Sequence, residues 1–522
     1  MATEKRKGWV YLVGAGPGDP GLVTIRAQEM LSCCEVLVYD ALVTREILAM
    51  CNPEAEKIFA GKRGGKHFMK QDETNKLLVK KAEEGKRVVR LKGGDPYLFG
   101  RGAEEALYLV EHGIGVEVIP GVTAALAAST YAGVPLTHRD YASAVAFATG
   151  HEDPTKTESA IDWGALAKVG TLCLYMGVKQ LAKIAENLKE HLDSSTPVAV
   201  IERAGTPSQR TVTGTLATIP EIAVAEGVQA PALTIVGGTV ELRERLDFFE
   251  RRPLFGKRVV ITRARAQAST LATVLAALGA EVIQFPTIRI EPPEDRKSLQ
   301  AVAKHLGDFD WLVLTSANGV DALFDELREQ GGDARSLANV KIAAIGSATA
   351  ARLSERELNA DLVPRKFVAE EIVNELQERG VLRKVFSAAP YETGGPRFLL
   401  ARADIARSHL PERLRALGAD VTEVVAYRTV LETEGHEEGR QALMDGHVDA
   451  VTFTSSSTVR HFVSLLGEEA LETVLKSPRL NCFSIGPITS ATMRELGLPV
   501  TGEAEQYDIT GLVSMIKDSL SR

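Results

Sequence analysis

The sequence predicts an α/β protein with mainly parallel, buried strands, and three observations carry that prediction. Short apolar, β-branched runs ending in Gly or Asp alternate with longer helical patterns from one end to the other. A charged break, RERLDFFERRPLFGK at 243–257, carries Pro253 and Gly256 and no strand pattern. Beyond it the chain repeats its own order of segments.

Taken in order, the first half offers strands in WVYLVGAG, EVLVYD, RVVRLKGGD, GVEVIPG, TLCLYMG, PVAVIERAG and ALTIVGG. In sheets of this kind ligands gather at the carboxyl ends of the strands, where these glycines and acids stand. The break reads as a helix end followed by a linker at 247–256. In the second half VVITRARAQASTLATVLAALGAEV parallels FLLARADIARSHLPERLRALGADV, with Arg263 matching Arg402 at an offset of 139. FDWLVLTSANGV matches VDAVTFTSSSTV at the same offset, and AAIGSATAARL matches FSIGPITSATM with one residue gained. Two similar α/β lobes follow from that duplication.

Composition sets outer limits. At roughly 100–200 residues per domain, 522 residues imply three or four domains. Hydrophobic residues at 45% and charged residues at 25% are globular proportions and exclude disorder. A net charge of −8 argues against a general nucleic-acid binder, so an anionic substrate must meet local arginines. The cysteines, Cys33, Cys34, Cys51, Cys173 and Cys482, are odd in number and lack a C-x-x-C pair, which argues against a disulfide framework or a cysteine-bound metal. No run reaches the ~18 apolar residues of a membrane span, and the apolar run near the start is too short for a signal peptide. A soluble, reduced, cytoplasmic protein is the expectation.

Candidate chemistry in the first half begins at Gly14-Ala15-Gly16-Pro17-Gly18-Asp19-Pro20, directly after a strand. With Asp40 ending the next strand it suggests a dinucleotide site. However, Asp19 replaces the third glycine, and Pro17 and Pro20 remove amides that would hold a pyrophosphate. Leu91-Lys92-Gly93-Gly94-Asp95-Pro96-Tyr97-Leu98 suits a cationic or amine-bearing ligand lying on backbone, with a plain turn acid before Pro96 as the lesser alternative for Asp95. Ile119-Pro120-Gly121-Val122-Thr123-Ala124 leaves room for a flat ring. Tyr175-Met176-Gly177 and Arg203-Ala204-Gly205-Thr206 complete the set.

Together VGAGPGDPGLVT, VYDALV, GKRGG, GGDPYLFGRG, IPGVTAA, LYMGV and ERAGTPSQ resemble the uroporphyrinogen-III C-methyltransferase branch of the tetrapyrrole methylases, over about residues 8–244. The resemblance implies two α/β subdomains, at 1–136 and 137–246, usually in a homodimer, with S-adenosylmethionine between them. By motif position it implies cofactor contacts from Pro17, Gly93, Gly94, Asp95, Leu98, Thr123, Ala124, Met176 and Gly205. It assigns Asp40 as proton acceptor and Lys62 as proton donor. Asp40 as a cap and Lys62 as a plain substrate contact remain alternatives. The implied substrate is an octacarboxylate macrocycle, for which Arg63, Arg101, Arg139 and Arg203 are candidate contacts.

The second half shows hydroxyls at its strand ends: Thr315-Ser316, Ser347 and Thr349, Thr454 to Thr458, and Thr489-Ser490. They suit an anionic ligand or serve as ordinary helix caps. RVVITRA, LVLTSANGV, IAAIGSATA, VVAYRT, VTFTSSST and SIGPITSATMRELG resemble uroporphyrinogen-III synthase over about residues 256–522. That resemblance implies one lobe from 257–290 plus 427–522, a second from 291–426, and extended crossings between them near 287–292 and 427–429. It points to Tyr427 as catalytic and to Ser455 and Thr489 as substrate-binding. Tyr427 either assists departure of hydroxide or packs beneath the crossing.

The two resemblances join into one expectation. A synthase closes hydroxymethylbilane to uroporphyrinogen III, and a methyltransferase adds two methyl groups to give precorrin-2, without a metal, a nucleic acid or a membrane. The rival expectation is a methylase of a later corrin fused to a non-catalytic tetrapyrrole-binding module.

Overall fold

The computed structural model describes residues 7–63, 66–67, 69–150, 161–263, 265–364, 369–382, 395–404 and 408–521; the side chains of 62–63, 66–67, 265–269 and 369–370 lie outside that description. The chain divides into two units, Met1–Gly256 and Lys257–Arg522. Each is mixed α/β and holds two five-stranded sheets.

The first sheet is parallel, in the order Glu56–Phe59, Val36–Tyr39, Arg87–Lys92, Trp9–Gly14, Gly115–Ile119. Its strands are apolar throughout because both faces are covered. Val13, Leu37, Val89 and Leu91 pack under Ala27, Leu31 and Ile47 on one face, while Val10, Leu12, Val38 and Val88 meet Leu78 and Leu109 on the other. The alternation of side chains along a strand delivers these two sets. Thr24 starts the first long helix, Ile25–Cys33, by accepting the Ala27 amide at 3.2 Å.

The second sheet departs from the expected parallel arrangement. Its order is Arg210–Thr215, Pro197–Glu202, Ala232–Val236, Thr171–Tyr175, Val145–Thr149, and only the last pair is parallel. Apolar runs such as PVAVIE look the same in either direction once both faces are buried, so the strand text carries no direction.

The stretch expected as a linker, 247–256, packs on the first unit instead. Phe249 and Leu254 are buried, and the Phe249 ring stacks on Tyr131 with centroids 4.4 Å apart. Glu250 accepts bonds from Gln209 (2.9 Å), Thr211 (2.5 Å) and Arg243 (2.6 Å). Its apolar and acidic residues match a face left open by Tyr131 and Gln209, which no local pattern announces.

In the second unit the duplication is interlaced. One sheet runs Glu281–Gln284, Arg258–Ile261, Ala450–Phe453, Asn481–Ser484, Gly502–Glu503. The other runs Ile288–Glu291, Asp420–Leu431, Arg397–Ala403, Trp311–Leu314, Lys341–Ala344. Each repeat therefore gives its first strands to one sheet and its later strands to the other. Ile288–Glu291 pairs antiparallel with the end of Asp420–Leu431, so both crossings are held in one ladder. Tyr427, expected at the start of the returning lobe, sits within the long strand Asp420–Leu431.

Candidate functional site

Three glycine turns of the first unit meet at the carboxyl edge of its parallel sheet. Gly16 and Gly94 exchange amides, at 2.7 Å and 3.2 Å, and Ala15 donates to the Lys92 carbonyl at 2.8 Å. A Cβ on Gly14 would fall 2.5 Å from the Gly121 nitrogen, and one on Gly121 would fall 2.3 Å from the Gly94 carbonyl oxygen. Gly14 and Gly121 are thus required by close approach of three backbones, and Gly94 by its φ of +69°. The result is a rim of main-chain groups without side-chain cover.

Two carboxylates pin the rim. Asp95 accepts the amides of Tyr97 (2.8 Å) and Gly121 (3.1 Å). Asp40 accepts those of Leu42 (3.0 Å) and Gly93 (3.3 Å). Each is thus a turn acid, and each also accepts an amide of the Gly93–Gly121 rim. Thr123 and Ala124 open the helix Ala124–Tyr131 beside Gly94, with the Ala124 nitrogen 3.9 Å from where a Gly94 Cβ would stand. Leu98 is half-buried on the loop that follows Asp95.

The antiparallel sheet supplies the opposite wall. The Tyr175 hydroxyl lies 2.6 Å from Thr123 Oγ1 and accepts the Ala125 amide at 3.0 Å, while its ring packs on Phe99 at 4.8 Å. Burial pushes that phenol up from its ordinary value. Met176 follows with φ +57° and half its surface exposed, which projects it away from the sheet. Gly205, at φ +79°, lies under the Tyr131 ring, and a Cβ there would stand 3.7 Å from Pro17. Asp19, the residue that spoils the dinucleotide motif, caps Pro20–Leu22 and accepts the Tyr131 hydroxyl at 2.7 Å.

Sequence reading missed the support beneath the rim. Glu105 is fully buried and accepts Lys92 at 3.0 Å through both oxygens, Arg90 at 3.3 Å and Gln71 at 2.9 Å. This cluster anchors the strand Arg87–Lys92, which leads directly into Gly93. Lys62 pairs with His67 in a two-stranded ribbon, and its side chain lies outside the described residues, as does that of Arg63. Arg101 is engaged by Glu104 at 2.6 Å and Arg203 by Glu202 at 3.3 Å, whereas Arg139 is exposed.

In the second unit the duplicated hydroxyls become helix caps. Ser316 accepts the Gly319 amide at 3.0 Å, and its counterpart Ser455 accepts the Thr458 amide at 3.3 Å. The Tyr427 hydroxyl is 3.0 Å from Ser316 Oγ, and the ring sits in the core beside Leu314 and Ala426. Thr489 is buried at the start of Pro487–Glu495. Thus Tyr427 belongs with Ser316 in one lobe, while Ser455 and Thr489 share the edge of the other sheet. Among the described residues no group of three or more His, Cys, Asp or Glu is placed to hold a metal ion, and no helix is long and apolar enough to cross a membrane.

Two α/β units, each presenting a rim of backbone and hydroxyl groups at strand ends, define an enzyme of two parts that binds small molecules. The comparisons make this specific. Residues 9–220 match the family model of tetrapyrrole (corrin/porphyrin) methylases, and residues 269–514 match that of uroporphyrinogen-III synthase HemD. A porphyrin biosynthesis protein HemD of Ruminiclostridium josui is 37% identical over 470 residues, 90% of each chain. An S-adenosyl-L-methionine-dependent uroporphyrinogen III methyltransferase of Methanosarcina barkeri is 54% identical over 46% of this chain and 94% of that one. A siroheme synthase of Thiobacillus denitrificans is 49% identical over 48% of this chain and 52% of its own, so the chain spans about half of that relative. The chain belongs to the tetrapyrrole methylases through its first half and to the uroporphyrinogen-III synthases through its second, and is a bifunctional enzyme of tetrapyrrole biosynthesis.

Proposed function

We propose that the second half closes hydroxymethylbilane to uroporphyrinogen III with loss of water, and that the first half methylates that product twice to give precorrin-2. The convergence of Gly14, Gly94 and Gly121 is the observation that supports the methylase reading most directly. A rim with no space for a Cβ at Gly14 or Gly121, and with left-handed backbone at Gly94, fits a donor that lies along main-chain groups. S-adenosylmethionine supplies a methyl group on a cationic sulfonium. Pro17, Gly93, Gly94, Asp95, Leu98, Thr123, Ala124, Met176 and Gly205 are the residues that hold it in this reading. Asp95 adds a favourable charge near the cation. Methylation of a pyrrole carbon leaves a proton to be removed, and Asp40, beside Gly93, takes it and gives it up to solvent before the second methylation; Lys62 is the proton donor of the site in this reading.

For the synthase, the bilane also closes unaided to the wrong isomer. The protein's task is to hold the chain in one geometry. Tyr427 assists loss of hydroxide, and Ser455 and Thr489 bind substrate. We place the enzyme in the cytoplasm, as a homodimer through its methylase half, with flux toward siroheme or cobalamin.

A coupled assay tests both reactions. The whole chain, given hydroxymethylbilane and labelled S-adenosylmethionine, should yield type III rings carrying two labelled methyl groups. Type I rings alone would remove the synthase activity and leave a binding module. Absence of label from supplied uroporphyrinogen III would move the methylase to a later corrin.

A further inference from the structure

The duplication within the second unit provides an internal control for one arginine. In one lobe Arg402 pairs with Glu423 at 2.6 Å, and Arg415 reaches the same carboxylate at 2.8 Å. The equivalents in the other lobe, 139 positions earlier, are Arg263, Gln284 and Ala276. Strand pairing confirms the equivalence: Leu400 faces Glu423 as Ile261 faces Gln284. Each arginine therefore stands two residues beyond the partner of its glutamate or glutamine. The ion pair of one lobe has lost its acid in the other.

Arg263 nevertheless remains partly buried, and no described residue forms an ion pair or a hydrogen bond with its side chain. Burial pulls its guanidinium down from the ordinary arginine value, and among the described residues no charge opposes it. A cation withdrawn from water without a counter-charge is destabilising. Its location gives it a use. It follows the strand Arg258–Ile261, which runs parallel to Ala450–Phe453, so it shares a sheet edge with the Ser455 cap. That is the edge at which ligands of parallel sheets collect.

We propose that Arg263 is a substrate-carboxylate anchor of the synthase half, set free by Gln284 to grip a carboxylate of a polyanionic linear tetrapyrrole. The proposal rests on the synthase reading above. A guanidinium presents paired N–H groups to both oxygens of a carboxylate, which fixes direction as well as position. Such a grip would hold the bilane before closure without entering the bond changes.

The test reinstalls the missing acid. Gln284→Glu should give Arg263 the partner that Arg402 has, and raise the KM for hydroxymethylbilane about 10- to 100-fold, the worth of a charge-assisted hydrogen bond, with kcat kept and Tm equal or higher. Arg263→Gln should raise KM by a similar factor, and Arg263→Lys by less, because charge survives but the paired geometry does not. Arg402→Gln is the structural control and should lower Tm while leaving KM in place. Wild-type KM in both Gln284→Glu and Arg263→Gln overturns the anchor alone. A wild-type enzyme that fails to speed type III closure overturns the synthase reading, and the anchor with it.

Discussion

Asp95 Oδ2 accepts the Gly121 amide at 3.1 Å, joining loops that follow the two strands flanking Trp9–Gly14. The bond passes over the turn that begins at Gly14. One carboxylate thus sets the spacing of the whole glycine rim, and its second oxygen holds the Tyr97 amide at 2.8 Å. Its negative charge is shared with backbone donors, so in the donor-site reading proposed above its effect on a cation comes through the shape of the rim as much as through Coulomb attraction.

Asp95→Ala should therefore weaken S-adenosylmethionine binding by about tenfold or more, since two charge-assisted bonds are lost. Closure of hydroxymethylbilane should be unaffected, because the second half is a separate compact unit. Calorimetry on the full chain gives the affinity. A Kd equal to that of the wild type would take Asp95 out of the donor site.

Asp40→Asn keeps the shape of the side chain and cannot accept a proton. Methylation should fall about 10²–10⁴-fold, the usual worth of a positioned acid or base. Donor affinity is the discriminating measurement, because Asp40 also holds the Gly93 amide. If affinity drops in step with turnover, Asp40 is a loop anchor and proton removal lies elsewhere.

Glu105 gives the first half a pH signature. Burial by itself would raise this carboxyl, but Arg90 and Lys92 outweigh it and hold the group below the ordinary carboxylate range. A folded-state value below the unfolded one stabilises the fold at neutral pH, and that contribution disappears as pH falls through and beneath the ordinary carboxylate value. Glu105→Gln should lower stability at pH 7 by about 3–5 kcal/mol, leaving two buried cations short of their partner. The difference between variant and wild type should shrink on acidification, provided both remain folded at the start of each melt. Melting curves that run parallel from pH 7 to the acid limit would contradict this.

The glycine turns were legible because close backbone approach leaves its mark in the residue type itself. So was the duplication, whose offset survives in the pairing of Leu400 with Glu423 and Ile261 with Gln284. Glu105 was not legible: it adjoins Glu104, and only tertiary packing decides which of the two is buried. Tyr175, beside Met176 at its strand end, is not legible either, since nothing local shows that its hydroxyl spans to Thr123. The antiparallel sheet and the docking of Phe249 on Tyr131 likewise depend on partners distant in sequence.

Tyr427 is where packing and chemistry are hardest to separate, and Ser316 separates them. The phenol ring is almost fully buried in the core of its lobe, which accounts for an aromatic residue at this position. Its hydroxyl lies 3.0 Å from Ser316 Oγ, which is already engaged in capping Ala317–Glu329. Tyr427→Phe keeps the ring and removes one hydrogen bond, a stability loss of about 1 kcal/mol. Ser316→Ala removes the same bond and the cap, a loss of about 1–2 kcal/mol. If the phenol helps hydroxide depart, Tyr427→Phe should cut synthase turnover far beyond what its Tm shift explains, and Ser316→Ala, with the phenol still present, should cut it much less. Unaided closure continues in both, so the Tyr427→Phe product pool should shift toward the type I isomer, read by chromatography after oxidation to porphyrins. Methylation of supplied uroporphyrinogen III should be unchanged in either variant. Should both variants make type III rings at the wild-type rate, Tyr427 is a packing residue, and closure is directed by backbone donors, by the hydroxyls of Ser455 and Thr489, and by the charge of Arg263.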